Sequence, residues 1–518
     1  MSGRLGKRFL QEITANIDDD ATRLVFSDWL EEQGESERAK FIRVQVQRAR
    51  LPPWDAAQVW LKIREQELLT KHGETWLKEM PEIPGVRWEG FRRGIVAVVS
   101  FVSFDAMRTS AHACCAIAPI EAVRVSWPRR PESAENAPPI AELRELTLTG
   151  GRPLRDGEVL RFANSPQLAT LRVLKASGLD ARELGQLAAS PHLKNLRTLC
   201  LTSNGVGTAG VRSLTEAATL TNLETLDLTG PGYYESYYDN PLIDLAGMEA
   251  LADWQGLQSV RSLSLSGSDV RTEGLRRLLQ SPHAVGLKSL SLRSGRLDGT
   301  AMAEFAAANK KLKLETLDLG ENILQESGAE NLAAAKCLSE LKHLRLDRCE
   351  IPQAGAVHFA KTASFIEGLR ILEAGHNHFG SAGLRALLER SSTTLHSLGL
   401  RNNTLTHEAV ALLSESPASN ELLELDLGEN ALTSAAAKSL GTTANLRQLL
   451  ILRIGDNPNL GYKALASSPL GQRLKLLTVE KAALWYPGYF WWSENPGEYQ
   501  ETYFENYDYD EDEEDVEF

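Results

Sequence analysis

Asp18-Asp19-Asp20, the near neighbours His376 and His378, and the adjacent pair Cys114-Cys115 are residues of this 518-residue chain whose types could hold a metal or move a proton. None is accompanied by the rest of what such chemistry needs. A calcium loop requires more oxygen ligands at fixed offsets, and none accompanies the run Asp18 to Asp20. Acids ahead of an amphipathic run are what the positive end of a helix attracts. Asp19 or Asp20 therefore reads as the N-cap of a helix over 21–32. His376 and His378 flank Asn377 and read as a loop pair, and Cys114-Cys115 as small core residues of a helix. The chain has no H-E-x-x-H, no paired C-x-x-C, no G-x-S-x-G elbow and no phosphate loop, since GVGTAG from Gly205 lacks the lysine. No catalytic residue, cofactor or metal ligand emerges, and the expectation is a chain that is not an enzyme.

A second set of residues has the chemistry of a macromolecular contact. Tyr233, Tyr234, Tyr237 and Tyr238 lie within nine residues, GYYESYYDN, and tyrosine is enriched where protein interfaces gain their energy. These rings either meet a partner or pack on neighbouring loops. The acids Asp318, Glu321, Asp347, Glu373 and Asp426 alternate along the chain with Arg345, His376, Arg401 and Arg453. Mixed signs suit a polar protein interface better than a pocket for an apolar ligand. They suit equally a solvated face whose charges pair with one another.

The elements that position these residues follow from a repeat. LETLDLGEN from Leu314 reads L-x-x-L-x-L-x-x-N, and a small-residue amphipathic helix follows it. First leucines recur from Leu143 to Leu474 at intervals of 25 to 28, with one interval of 37. Leu317 and Leu319, two apart, face one side of a strand, and Asp318 faces the other. Ala329 and Leu332 supply the helix face that meets the leucines. One unit cannot cover its own flanks, so units must stack. Strands stack more closely than helices, which bends the stack with strands inside. Asn204, Asn322, Asn377, Asn403, Asn430 and Asn457 occupy the ninth position, with Cys349 in the same slot. An amide there can serve neighbouring turns as both donor and acceptor. The long interval places the tyrosine-rich segment after a strand, on the rim of the inner face.

This pattern resembles the leucine-rich repeat family, in its ribonuclease-inhibitor-like subclass. The resemblance implies an α/β fold: a right-handed horseshoe solenoid with a concave parallel sheet and convex helices. It implies a non-enzymatic scaffold that binds a protein or peptide on its concave face. A solenoid of this kind with an acidic tail also resembles the Ran GTPase-activating protein, which makes regulation of a small GTPase the alternative function. No catalytic residue carries over.

Ahead of the repeats, 1–50 reads as three short helices. Phe9-Leu10, Asp18 to Asp20, Arg23-Leu24-Val25, Asp28-Trp29-Leu30-Glu31-Glu32, Gly34 and Arg38 to Gln45 resemble the bacterial repeat-companion domain. No activity follows from that likeness. Residues 51–140 read as a helix over 54–78, strands near 94–101 and 120–125, and a helix between them, a degenerate cap for the solenoid. The repeats are expected over 141–484, an aromatic cap over 485–504 and a solvated, disordered acidic tail over 505–518.

The formal charge is −13, yet 485–518 alone carries twelve acids and no Lys, Arg or His, so the rest is nearly neutral. Neither part offers the basic face that nucleic acid wants. No run approaches a membrane span and no apolar leader opens the chain. Five irregularly spaced cysteines suit a reducing compartment. The expectation is a cytoplasmic, monomeric protein with no nucleic-acid or membrane partner.

Overall fold

The structure is a computed structural model that describes residues 4–126, 143–149, 158–202, 206–217, 219–230, 242–390, 394–457 and 460–478. The tyrosine-rich segment, Asn204, the aromatic cluster from Trp485 and the acidic tail lie outside the described residues.

Sixteen strands form one sheet whose spatial order is the chain order. It opens with β1 (Val86–Arg92) and β2 (Ile95–Phe101), followed by β3 (Ala122–Ser126), β4 (Glu145–Thr149), β5 (Val173–Ala176) and β6 (Thr198–Cys200). It continues with β7 (Thr225–Asp227), β8 (Ser262–Ser264), β9 (Ser289–Ser291), β10 (Thr316–Asp318) and β11 (His343–Arg345). The last five are β12 (Ile371–Glu373), β13 (Ser397–Gly399), β14 (Glu424–Asp426), β15 (Ile451–Arg453) and β16 (Leu476–Thr478). From β2 onward every pairing is parallel and joins the same repeat position, as in Leu317 with Leu344 and Leu344 with Leu372. The sheet is the concave layer of a right-handed α/β horseshoe, with the helices on its convex side.

The leucines make this register unavoidable. Leu317, Leu319, Ala329 and Leu332 are at most 1% exposed, and each buried leucine contributes about 1.5–3 kcal/mol. One apolar core runs unbroken from Val99 to Leu470. Small residues let adjacent helices touch: a Cβ on Gly328 would lie 2.7 Å from Leu324 Cβ and 3.1 Å from Gly299 Cα.

Strand β1, which the sequence reading did not include, pairs antiparallel with β2. Its apolar alternation is broken by register shifts on both sides of Gly90, and a bulge of this kind puts the side chains out of phase.

The N-terminal helices α1 (Arg4–Ala15), α2 (Asp20–Glu32) and α3 (Ser36–Arg50) dock on that hairpin. Ile95 belongs to the small core of Ile13, Phe26, Leu30 and Ile42. Phe41 packs edge-on against Phe91 at 5.1 Å. Gly94 makes the contact feasible: its φ is +83°, and a Cβ there would fall 2.3 Å from Ile42 Cα. The helix expected over 54–78 begins later, as α4 (Ala57–Leu68), with Asp55 accepting the Ala57 N–H at 2.8 Å just ahead of it. A π-helical turn over Leu69–Gly73 links it to α5 (Glu74–Lys78), and α6 (Phe104–Ile117) lies between β2 and β3. Among the described residues no helix is long and apolar enough to cross a membrane.

Candidate interaction surface

Each repeat strand turns two side chains inward, at the third and fifth positions of L-x-x-L-x-L. The fifth position is often an aspartate, and its first task is local. Asp227, Asp318 and Asp426 each accept, at 2.9 Å, the backbone N–H two residues on, from Thr229, Gly320 and Gly428. Asp347 accepts instead from Gly375 in the next unit, also at 2.9 Å. Asp318 is only 1% exposed. It belongs to the scaffold and is not presented to a partner, which corrects its place among the expected contact residues.

The remaining charges pair across units. Arg293 reaches Glu321 at 2.8 Å, Arg345 reaches Glu373 at 2.8 Å, and Arg401 joins Glu429 and Asp456, both at 2.8 Å. Arg453 bonds Glu424. The solvated, self-paired reading therefore describes these strands well. Between β7 and β10 the inner face carries hydroxyls instead, Thr229, Ser264, Ser266 and Ser291 in a chain of 2.8–3.2 Å contacts.

Burial and neighbours divide the acids. Burial pushes Asp347 up to about 7, with Glu373 and Asp318 adding repulsion and Arg345 and Arg293 opposing it. Its Oδ2 is buried without a hydrogen-bond partner. Burial also pushes Glu373 upward, but Arg345 and His343 outweigh it and hold the carboxyl well below the usual range.

Beyond each strand the turn holds a polar, non-glycine residue at left-handed φ: Glu321 (57°), Arg348 (56°), His376 (56°), Asn402 (49°), Glu429 (52°) and Asp456 (59°). His376 contacts Arg348 at 3.4 Å and Asn402 at 3.1 Å, while His378 is exposed. The amide ladder lies beneath. Asn377 Oδ1 accepts from the N–H groups of Cys349 and Ile351 at 3.2 and 2.9 Å, and its Nδ2 donates to Leu346 O at 2.8 Å. Cys349 Sγ donates to Leu319 O at 3.2 Å in the corresponding slot.

Two features escape a strand-by-strand reading of the sequence. The first is a contact across the mouth of the horseshoe. His396, immediately before β13, donates from Nε2 to Trp54 O at 2.8 Å. Exposed Lys62 of α4 lies in the field of Glu424, Glu373 and Arg453. α4 and the connection before it thus face strands β12 to β15, which carry the expected contact residues Glu373, Asp426 and Arg453. Bases one residue ahead of several early strands are the second feature. Arg144, Arg172, Arg197 and Arg261 precede β4, β5, β6 and β8, at the same repeat position, and line one groove of about 870 Å³.

The acidic run is fully employed. Asp19 caps α2, accepting from Ala21 N at 2.9 Å. Asp18 bonds Arg144 and Arg172, and Asp20 bonds Arg50 at 2.8 Å. Among the described residues no group of three or more His, Cys, Asp or Glu side chains is placed to hold a metal. Burial pushes the Cys114 and Cys337 thiols up to about 11, which disfavours nucleophilic thiolate. Cys200, at the end of β6, is 6% exposed.

A family model described as Leucine Rich repeat matches residues 192–214. The chain is 28% identical over 276 residues to a ribonuclease inhibitor of Mus musculus, covering 49% of this chain and 56% of that protein. It is 30% identical over 294 residues to a ribonuclease inhibitor of Sus scrofa, covering 51% and 59% respectively. It is 31% identical over 262 residues to NACHT, LRR and PYD domains-containing protein 5 of Bos taurus, covering 47% of this chain and 22% of that protein. The chain spans just over half the length of the ribonuclease inhibitors it matches. Repeat period, in-register parallel strands and asparagine ladder agree with these relatives: the chain folds as a leucine-rich repeat solenoid and is similar to the ribonuclease inhibitors.

Proposed function

We propose that the chain is a non-enzymatic scaffold that binds a protein partner through the middle of its concave ribbon and the tyrosine-rich rim. One observation carries the reading. Six turns in the second half of the array hold a polar residue at left-handed φ where glycine would cost nothing. The fold needs no side chain there, yet each turn displays one along the edge of the ribbon. Strained positions of this kind cluster where a surface has a task beyond folding. Cross-unit ion pairs hold the neighbouring charges in fixed positions, which lowers the ordering cost of a contact. Two of the relatives are named ribonuclease inhibitors, so a protein ligand is the class their names suggest.

The contact surface on this reading comprises Glu321, Arg345, Asp347, His376 and Arg401, with Tyr233, Tyr234, Tyr237 and Tyr238 on the rim. Glu373, Asp426 and Arg453 join it only for a partner that shares the space with the α3–α4 connection. The test is affinity capture from source-cell lysate with three full-length baits: wild type, Glu321→Lys with Arg401→Glu, and a chain lacking 232–240. A prey retained by wild type and lost with the ribbon variant supports the ribbon, and loss with the loop deletion supports the rim. An identical prey set on all three baits overturns the reading.

A further inference from the structure

We propose that the arginine groove ahead of β4 to β8 is a docking site for an extended acidic segment, and that residues 505–518 of this chain occupy it. The proposal does not depend on a protein partner for the ribbon.

The groove is built by the repeat. Arg144, Arg172, Arg197, Glu224 and Arg261 each stand one residue before a strand, so the sheet sets them on successive rungs about 4.8 Å apart. Among the described residues four guanidiniums face Asp18 and Glu224, with Glu121 beside Arg144 already paired to Arg23, which leaves the groove positive. The side chains are open to solvent: Arg172 is 45% and Arg197 55% exposed, and Arg261 is exposed as well. Arg261 donates to Gly286 O at 3.0 Å. A guanidinium has five N–H donors, so these few contacts leave donors over.

The structure already shows how a carboxylate is received there. Asp18, from the N-terminal helices, puts one oxygen on Arg144 and the other on Arg172, the latter at 3.3 Å. Glu224, itself on a rung, accepts from Arg197 through one oxygen. A carboxylate between adjacent rungs is therefore the geometry the groove favours, and the rungs toward Arg261 repeat it without a resident carboxylate from the N-terminal helices.

Residues 505–518 match this in charge and in reach. They hold nine acids, six of them consecutive from Asp510 to Asp515. An extended run presents side chains about every 3.3 Å on alternating sides, so it can meet rungs about 4.8 Å apart in more than one register. From residue 478 to residue 505, 27 residues can span up to about 90 Å. The twelve strand steps from β16 back to β4 cover roughly 58 Å. Tethering to the same chain places the segment at a concentration on the order of millimolar, enough to keep a modest site filled.

The experiment measures binding of a labelled synthetic peptide, ENYDYDEDEEDVEF, by fluorescence anisotropy. Wild-type full chain is compared with a full chain carrying D510N, E511Q, D512N, E513Q, E514Q and D515N. The neutral-tail chain should bind the peptide at least about ten-fold more tightly, because its own segment no longer competes. Adding Arg172→Glu, Arg197→Glu and Arg261→Glu should abolish that gain. The same three positions as lysine should retain most of it, which separates loss of charge from loss of fold. Reversing the distant bases Arg271 and Arg296 should leave it unchanged. Equal affinity of wild type and neutral-tail chain overturns the occupant. Undiminished binding after reversal of the three groove arginines overturns the site, as does an equal loss from Arg271→Glu with Arg296→Glu.

Discussion

The two halves of the array share one backbone and differ in what holds their turns. From Leu314 onward the ninth position is Asn322, Cys349, Asn377, Asn403, Asn430 and Asn457. Asn430 is typical: its Oδ1 accepts from Asn403 N and Leu405 N at 2.8 and 3.0 Å, and its Nδ2 donates to Leu400 O, Leu427 O and Gly428 O. In the described units of the first half the same slot holds Leu179, Ser268 and Gly295. The charges divide similarly. Inner-face bases of the second half each have an acid in an adjacent unit or the next, whereas the early arginines outnumber the acids beside them. Leucine burial alone thus suffices to form the solenoid, and turn chemistry and surface charge vary upon it.

The N-terminal helices reach the second half of the array through Trp54 and His396, and the largest effect should come from loosening those helices at their root. Gly94→Ala places a Cβ at positive φ and 2.3 Å from Ile42 Cα, so α3 must leave the β1–β2 turn. A loss of about 3 kcal/mol or more is expected. Limited proteolysis should then cut within 1–90 first, while the core from Val99 persists. Unchanged protease resistance would remove the N-terminal helices from the comparison.

Next comes the ladder. Asn430→Ala strands two buried N–H groups and removes a donor from three carbonyls, and should cost on the order of 3 kcal/mol. Ser268→Ala, in the corresponding slot of the first half, should cost under about 1 kcal/mol. Chemical denaturation of both variants checks this. Hydrogen exchange should be slower over 314–457 than over 158–312; equal protection would mean that the amides add nothing to the leucines.

How far the sequence foresees this depends on the range of the signal. Period, strand positions, the ladder and the Asp19 cap are legible because each is local or recurs. Strand β1 was not, since the bulge at Gly90 breaks its alternation. The expected inner-face charges came from the correct positions, but their pairing lies one unit away, and Asp318 was taken as presented when its neighbours bury it. The arginine groove shows only when residues ahead of the strands are compared between units. The Trp54–His396 contact spans 342 positions and has no local signature.

A smaller effect separates the halves by pH. In the folded chain Asp347 holds its proton to about 7, above its ordinary 3.8. The folded state therefore binds more protons across that window, and stability from this group falls as pH rises from about 4 to about 7. Asp347→Asn keeps an acceptor for Gly375 N–H and removes the charge. It should stabilise the chain at pH 8 by on the order of 1 kcal/mol and flatten the pH dependence of the melting temperature between those values. A variant that melts in parallel with wild type at every pH would show that Asp347 ionises normally.

The smallest effect bears on why the second half displays so many side chains. Arg348 is exposed and adopts φ 56°, a conformation that costs a residue with a Cβ about 1 kcal/mol and glycine little. Its contact with His376, at 3.4 Å, is too long and exposed to offset that cost. Arg348→Gly should therefore raise stability slightly, by up to about 1 kcal/mol, less whatever freedom glycine adds to the unfolded chain. If the displayed residue serves binding, the same variant should lose affinity for a captured partner while melting no lower than wild type. A drop in both would place Arg348 in the scaffold instead, and the second half would then differ from the first only in how its turns are held.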